Sequence, residues 1–334
     1  MNVTKEVKRR IAIVVNPVSG TSSKEASANE AAMCLRSLGH EVEVLYTGAP
    51  GDATRLAREA VNRGAGLVIA VGGDGTVNET AKALCNSNVS LGIIPMGSGN
   101  GLARHLGIPV DFEGALNVIT EGNVKAIDYC TMNGEDFFCT FGVGFDAAVT
   151  HTFAKQSGRG LVTYLKSALM EFLIFHSAEY TINAGGKVLT EKAFLVAVCN
   201  TSQYGNNAYI APEARIDDGY VDVTIVHAGN HIAQALVGVD LFTGLINKNI
   251  LIETMRVPSV SIRCNATGGM AAHIDGEPRQ LEDRAEIVCR HNGLRVVAPI
   301  QSESFTPIIT PMSNIVRETR IALKNLFHPW AIRR

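Results

Sequence analysis

Four short apolar runs, IAIVVN, EVEVLY, GLVIAV and LGIIPM, occupy residues 11–16, 41–46, 66–71 and 91–96. Between them the residue pattern predicts helices near 23–38, 53–63 and 77–86. Strands that alternate with helices pair in parallel, and a parallel sheet needs helices over both faces. Two helix starts carry a capping-box pattern, Ser22 with Glu25 and Thr76 with Glu79. Residues 1–124 are therefore expected as an α/β domain.

The texture changes after about residue 125. FFCTFGVGF, YTINAG, AFLVAVCN, YVDVTIVH, SVSIRC and AEIVCRH are short, apolar or alternating, and bounded by turn residues. They predict a mainly β domain over residues 125–300, with helices at about 160–176 and 231–246. The polar stretch TEGNVKAID, 120–128, reads as the linker between the two. A chain of 334 residues that is 46% hydrophobic can bury a core in each.

Composition excludes several classes. The formal net charge is −2, so no global basic field draws the protein to nucleic acid. Seven cysteines occur without a C-x-x-C pair, which argues against a disulfide framework or a zinc site and suits a reducing, cytoplasmic setting. The most apolar helical window, residues 160–175, is interrupted by Lys166 and Glu171 and is too short to span a bilayer. Core packing is the first reading of its Leu161, Leu165, Ala168, Leu169 and Phe172; lining an apolar tunnel is the second.

The chemistry concentrates in two glycine-rich strand ends. In LVIAVGGDGTVNET, residues 67–80, glycines let backbone amides approach a ligand, and the following helix start favours an anion. Asp74 would repel a phosphate unless a divalent cation lies between them, or unless it takes a proton from a substrate hydroxyl. No G-K-[ST] follows, so this is not a Walker loop. GIIPMGSGNGLARHLGIP, 92–109, repeats the design at the next strand end, and adjacent parallel strands would set both loops along one carboxyl edge.

Together GGDGTVNE and PMGSGNGLAR resemble the diacylglycerol kinase catalytic family, which includes sphingosine and ceramide kinases and soluble bacterial lipid kinases. NPVSG (16–20), Thr47 in LYTGAPGDA, GVGFDA (142–147), APEARIDDGYVDV (211–223) and IDGE (274–277) match further family motifs in order. The resemblance implies a fold like NAD kinase, with a three-layer α/β domain and a sandwich-like β domain. It implies an ATP- and Mg2+-dependent kinase acting on a hydroxyl of diacylglycerol or a sphingoid lipid. Asn16, Thr47, Gly72, Gly73, Asp74, Gly75, Thr76, Asn78 and Ser98 would contact nucleotide. Asp275 would be the general base with Glu277 as its neighbour, while Asp74 organises magnesium or shares the base role. A structural magnesium would be held by the carbonyls of Arg215 and Tyr220 and the carboxylate of Asp218. The family's N-D-x-A-R reads Asn100-Gly101-Leu102-Ala103-Arg104 here, and its usual Gly-Gly is Asn206-Asn207, so the acceptor stays open. An NAD kinase-like enzyme and a non-catalytic, nucleotide-responsive lipid-binding module are the alternatives.

Residues 301–334 stand outside these motifs. Ile315, Ala322, Leu323, Leu326 and Phe327 share one helical face, with Arg317, Arg320 and Lys324 on the other. This basic amphipathic pattern suits peripheral attachment to a membrane surface or docking on the protein itself. Whether the chain forms a homodimer is left open.

Overall fold

The computed structural model describes residues 8–17, 24–156, 161–266 and 268–300. The carboxy-terminal pattern, Ser22 and part of the NPVSG motif lie outside these residues.

The first domain is built on β1 (Arg10–Val15), β2 (Glu41–Tyr46), β3 (Leu67–Gly72) and β4 (Ser90–Pro95). They pair in parallel in the order β2-β1-β3-β4. Every residue of β3 and β4 is buried, as a sheet covered on both faces requires. α1 (Lys24–Ser37) and α5 (Phe112–Glu121) touch each other, while α2 (Asp52–Asn62) and α3 (Asp74–Leu84) form a second touching pair. The sheet lies between the two pairs. Asp111 caps α5 by accepting the Gly114 amide at 2.7 Å. The short helix α4 (Gly101–His105) follows β4.

The stretch expected as a linker is instead the end of α5 and the start of β5 (Asn123–Met132). β5 pairs antiparallel with β15 (Arg284–Ala298) along both strands. β15 also pairs in parallel with β4 at one end and antiparallel with β12 (Ser259–Cys264) at the other. Ile127, Leu294 and Val296 therefore belong to the first core, while Cys130, Ala285 and Ile287 belong to the second. The polar letters of 120–128 fall mainly at the end of α5 and on the exposed start of β5, which pairs with the first-core end of β15. The register shifts between Arg290 and Leu294, where the pair passes from one core to the other.

The remaining strands are β6 (Glu135–Phe137), β7 (Thr140–Gly144), β8 (Ala178–Ala184), β9 (Lys187–Cys199), β10 (Val221–His227), β11 (Ile252–Val257), β13 (Met270–Ile274) and β14 (Glu277–Leu281). From β12 the sheet continues β8-β9-β7-β13-β14. α6 (Phe145–Ala154), α7 (Leu161–Ile174) and α8 (His231–Thr243) accompany it. One face of β9 packs into the sandwich core through Val196 and Val198. The other face, with Phe194, Leu195 and Ala197, packs into an apolar cluster with Phe145 and Phe172 of α6 and α7 and Val237 of α8. α6 is hidden in the sequence because GVGFDA reads as strand. Gly144 ends that strand at φ 92°, a backbone that favours glycine, and the helix begins at the next residue.

Candidate active site

The carboxyl ends of β1 to β4 make one edge. The Asn16 amide donates to Val71 O at 3.3 Å and the Thr47 amide to Val15 O at 2.9 Å. Gly72, Gly73, Asp74, Gly75 and Thr76 turn β3 into α3, and Ser98 lies exposed on the loop after β4. The sequence residues expected at a nucleotide therefore share this edge.

Asp74 has a role that repulsion from phosphate had obscured. Its Oδ2 accepts the Asn100 amide at 2.9 Å and its Oδ1 the Gly101 amide at 2.7 Å. The carboxylate at the first turn of α3 thus holds the second loop against the first. Glycines flank it because the two backbones touch. A Cβ on Gly97 would sit 2.6 Å from Gly73 Cα, and one on Gly99 would sit 2.8 Å from Asp74 Oδ2. Asn100 takes a left-handed φ of 53° and closes its own turn, its Oδ1 accepting the Gly97 amide at 2.9 Å.

The Thr76–Glu79 capping box does not form. α3 begins earlier, at Asp74, with Gly73 as its N-cap. Glu79 instead reaches the start of α2, where its carboxylate accepts the amides of Gly51 at 2.9 Å and Ala53 at 3.1 Å. The orphan amides it satisfies belong to a neighbouring helix rather than to its own.

Asp275 faces this edge from the second domain. It sits in the turn between β13 and β14 at φ 48°. Its Oδ2 accepts from Asn78 Nδ2 at 2.6 Å and from the Phe138 amide at 2.9 Å. Its Oδ1 accepts the amides of Cys139 at 2.8 Å and Thr140 at 2.9 Å. Burial pushes this carboxyl above the ordinary aspartate range, against the pull of those four hydrogen bonds. Glu277 stands nearby: a Cβ on Gly75 would lie 3.8 Å from its Oε1. Glu277 is also 3.3 Å from Arg279, which pairs with Glu135. Asp275, Glu277, Asn78 and Gly75 are thus brought together across the domain junction.

Arg215, Asp218 and Tyr220 gather on the turn into β10, with contacts that run elsewhere. Asp218 Oδ1 accepts the Tyr220 amide at 3.1 Å and its Oδ2 lies 3.6 Å from Arg256. Arg215 pairs with Asp217 at 3.3 Å. Buried Asp128 fixes this turn by accepting the Gly219 amide at 2.6 Å, and it also accepts the Asn292 amide at 2.7 Å from the irregular part of β15. The expected donors are one carboxylate and two backbone carbonyls, all hard oxygens of the kind magnesium takes, and Asp218 would share its charge with Arg256. Asp222 is ion-paired to Arg256 at 3.1 Å.

Three backbone donors of the site were not singled out from sequence. The Phe138, Cys139 and Thr140 amides are backbone groups, which no residue pattern announces. Asn206 and Asn207, the departure from Gly-Gly, both adopt positive φ, 49° and 59°, so asparagine supplies the left-handed turn that glycine would.

Comparison with known proteins agrees with this architecture. Residues 10–132 match the diacylglycerol kinase catalytic domain, and residues 140–297 match the YegS C-terminal NAD kinase beta sandwich-like domain. A protein of Pectobacterium atrosepticum named "Probable lipid kinase YegS-like" is 31% identical over 268 residues, 78% of this chain and 88% of that one. A Yersinia pestis protein of the same name matches at the same identity and coverage. The crystal structure of a diacylglycerol kinase from Bacillus anthracis superposes with a TM-score of 0.69 at 22% identity, over 90% of this chain and 100% of that one. Another Bacillus anthracis structure reaches a TM-score of 0.76 at 22% identity, over 91% and 99% of the two chains. At that identity the structures speak for the fold alone. The two domain matches and the 31% identical relatives establish more: the chain belongs to the diacylglycerol kinase catalytic family.

Proposed function

We propose that this protein is an ATP- and magnesium-dependent lipid kinase that phosphorylates a hydroxyl of diacylglycerol or a sphingoid lipid. The carrying observation is the junction of Asn78 with Asp275, which sets a carboxylate of the β domain beside the helix that follows the glycine–aspartate loop. Phosphoryl transfer depends on positioning and charge neutralisation more than on covalent help. Asp275 accepts the proton of the lipid hydroxyl at Oδ2, where that hydroxyl takes the place of the Asn78 amide, as the oxygen attacks the γ-phosphate and the bond to the departing ADP breaks. Burial raises its basicity, and the amides of Phe138, Cys139 and Thr140 hold it in one orientation. Asp74 fixes the second glycine loop, so Gly75, Thr76 and Ser98 can line the phosphates, with Asn16, Thr47, Gly72, Gly73 and Asn78 completing the nucleotide edge. Glu277 stands beside Gly75 as the second acid at the phosphate end. Magnesium, when bound, neutralises phosphate charge at the nucleotide; a structural ion would be held by Asp218 with the carbonyls of Arg215 and Tyr220.

The acceptor lies in a membrane. Among the described residues no helix is long and apolar enough to cross one, so attachment would be peripheral. The test is transfer of labelled phosphate from ATP with magnesium to micelles of diacylglycerol, sphingosine, dihydrosphingosine or ceramide, beside soluble NAD. Label in one lipid supports the proposal and names its acceptor. Label only in NAD would make this an NAD kinase-like enzyme, and ATP binding without any transfer would leave a binding module.

A further inference from the structure

A second polar cluster lies buried on the far side of β13 from the sandwich core. His273, 2% exposed, brings its Nε2 within 3.2 Å of Asp146 Oδ2, and Asp146 is itself 5% exposed in the first turn of α6. Tyr204 Oη donates to the same Oδ2 at 2.8 Å, and Asp146 Oδ1 accepts the Ala147 amide at 2.8 Å. Gly142 makes room for this meeting, because a side chain there would overlap both Asp146 and His273. Among the described residues His273 Nδ1 has no hydrogen-bond partner, although it is buried. A buried, half-satisfied imidazole is less stabilising than an apolar residue of its size, so its presence calls for another reason.

The two ends of the cluster supply one. His273 lies on β13, two residues before Asp275 in the turn that follows that strand. The Tyr204 loop rests on the second glycine loop: the Asn206 amide donates to Gly99 O at 3.3 Å, and a Cβ on Gly205 would lie 3.1 Å from Gly99 Cα. Arg104 Nη1 donates to Asn207 Oδ1 at 3.3 Å. That glycine loop is the one Asp74 holds through Asn100 and Gly101. A continuous set of contacts therefore runs from the phosphate end of the site, through Tyr204, Asp146 and His273, to the strand that leads into the Asp275 turn. The His151 ring reaches Ala272 O at 3.2 Å and Arg279 O at 3.1 Å, so α6 is fastened to β13 and β14 beyond His273 as well.

We infer that Asp146 is a positioning residue that couples the glycine loop of the nucleotide edge to β13 and the Asp275 turn that follows it, through Tyr204 on one side and His273 on the other. Order imposed on the loop by nucleotide is passed to the acceptor end without any contact between Asp146 and either substrate. The inference rests on the kinase reading only for its effect on turnover; the coupling itself needs nucleotide alone.

The test uses the full chain and its Tyr204→Phe variant, which keeps the ring beside His273 and removes only the hydroxyl. Amide hydrogen exchange over residues 272–278 is followed with and without a non-hydrolysable ATP analogue. Melting temperature, kcat and KM for ATP are measured on the same samples. Coupling predicts that nucleotide slows exchange in the wild type and not in the variant, with kcat reduced about tenfold and KM for ATP unchanged. Adding Asp146→Asn to Tyr204→Phe then lowers kcat little further, since both break the same serial path of contacts. Equal nucleotide protection in both proteins, or an unchanged kcat in the variant, overturns the inference. So does a variant that melts earlier and exchanges faster everywhere, with or without nucleotide, for that is a structural role only. If the wild type labels no lipid but the Tyr204-dependent protection persists, the kinase reading falls and the coupling stands.

Discussion

Asn78 and Asp275, 197 positions apart in sequence, share a hydrogen bond of 2.6 Å across the two domains. It joins the helix after the glycine–aspartate loop to the turn that carries the proposed base. The bond favours the ionised carboxylate, while burial opposes it.

A pH dependence follows from that opposition. The acid limb of kcat/KM should reflect a carboxyl titrating above the usual aspartate value of about 3.9. Asn78→Ala removes one hydrogen bond to the ionised form, so its limb moves to higher pH. A pH–rate series on both proteins checks the direction, and a limb that stays put would separate Asp275 from the titration. Stability has its own sign. A carboxyl raised in the folded state keeps its proton while the unfolded chain has lost it. Its contribution is therefore largest below the unfolded pKa and declines as pH rises through the folded one. Asp275→Asn should abolish that decline in melting-temperature curves.

Asp275→Asn tests role and packing together. Asparagine tolerates the left-handed φ of 48° at this position. Its amide nitrogen, however, must face donors whichever way it turns, because each carboxyl oxygen already accepts two. That mismatch costs about 1–3 kcal/mol. Turnover should fall at least ~10²-fold as the base is lost. Calorimetry gives the first quantity and steady-state kinetics the second, with ATP binding retained.

Gly97→Ala should raise KM for ATP about tenfold or more by forcing the glycine loops apart, since its Cβ would lie 2.6 Å from Gly73 Cα. Gly66→Ala is the matched control, with no described residue within 4 Å of the added methyl. Equal ATP affinity in the two variants would show that the loops tolerate separation.

Glu79→Ala uncaps α2 rather than α3. The amides of Gly51 and Ala53 lose their acceptor, which costs about 1 kcal/mol as for other helix caps. Thermal unfolding measures this. The helix that frays, read by hydrogen exchange, should be 52–62 and not 74–84.

Much of this was legible in the residues. The parallel strands were plain because buried runs such as LVIAV leave no other period. The glycine-rich loops at the carboxyl ends of β3 and β4 were plain because glycines and a helix start coincide at each strand end. What escaped was non-local. Glu79 fits a local capping box, and only the packing of α3 against α2 reveals the helix it serves. The stretch 120–128 looked like a linker because it joins the end of α5 to the exposed start of β5, where Asn123 and Lys125 stand. Asp146 and His273 are 127 positions apart, and no spacing rule connects them. The amides that hold Asp275 have no side-chain signature at all.

The most direct test of the junction is single-turnover transfer of labelled γ-phosphate from saturating ATP to lipid micelles, comparing the wild type with Asp275→Asn. The prediction is rapid labelling of the lipid by the wild type and near-complete loss in a variant that still binds ATP. Lipid labelled equally fast by Asp275→Asn would contradict it and move the chemistry away from the Asn78–Asp275 contact.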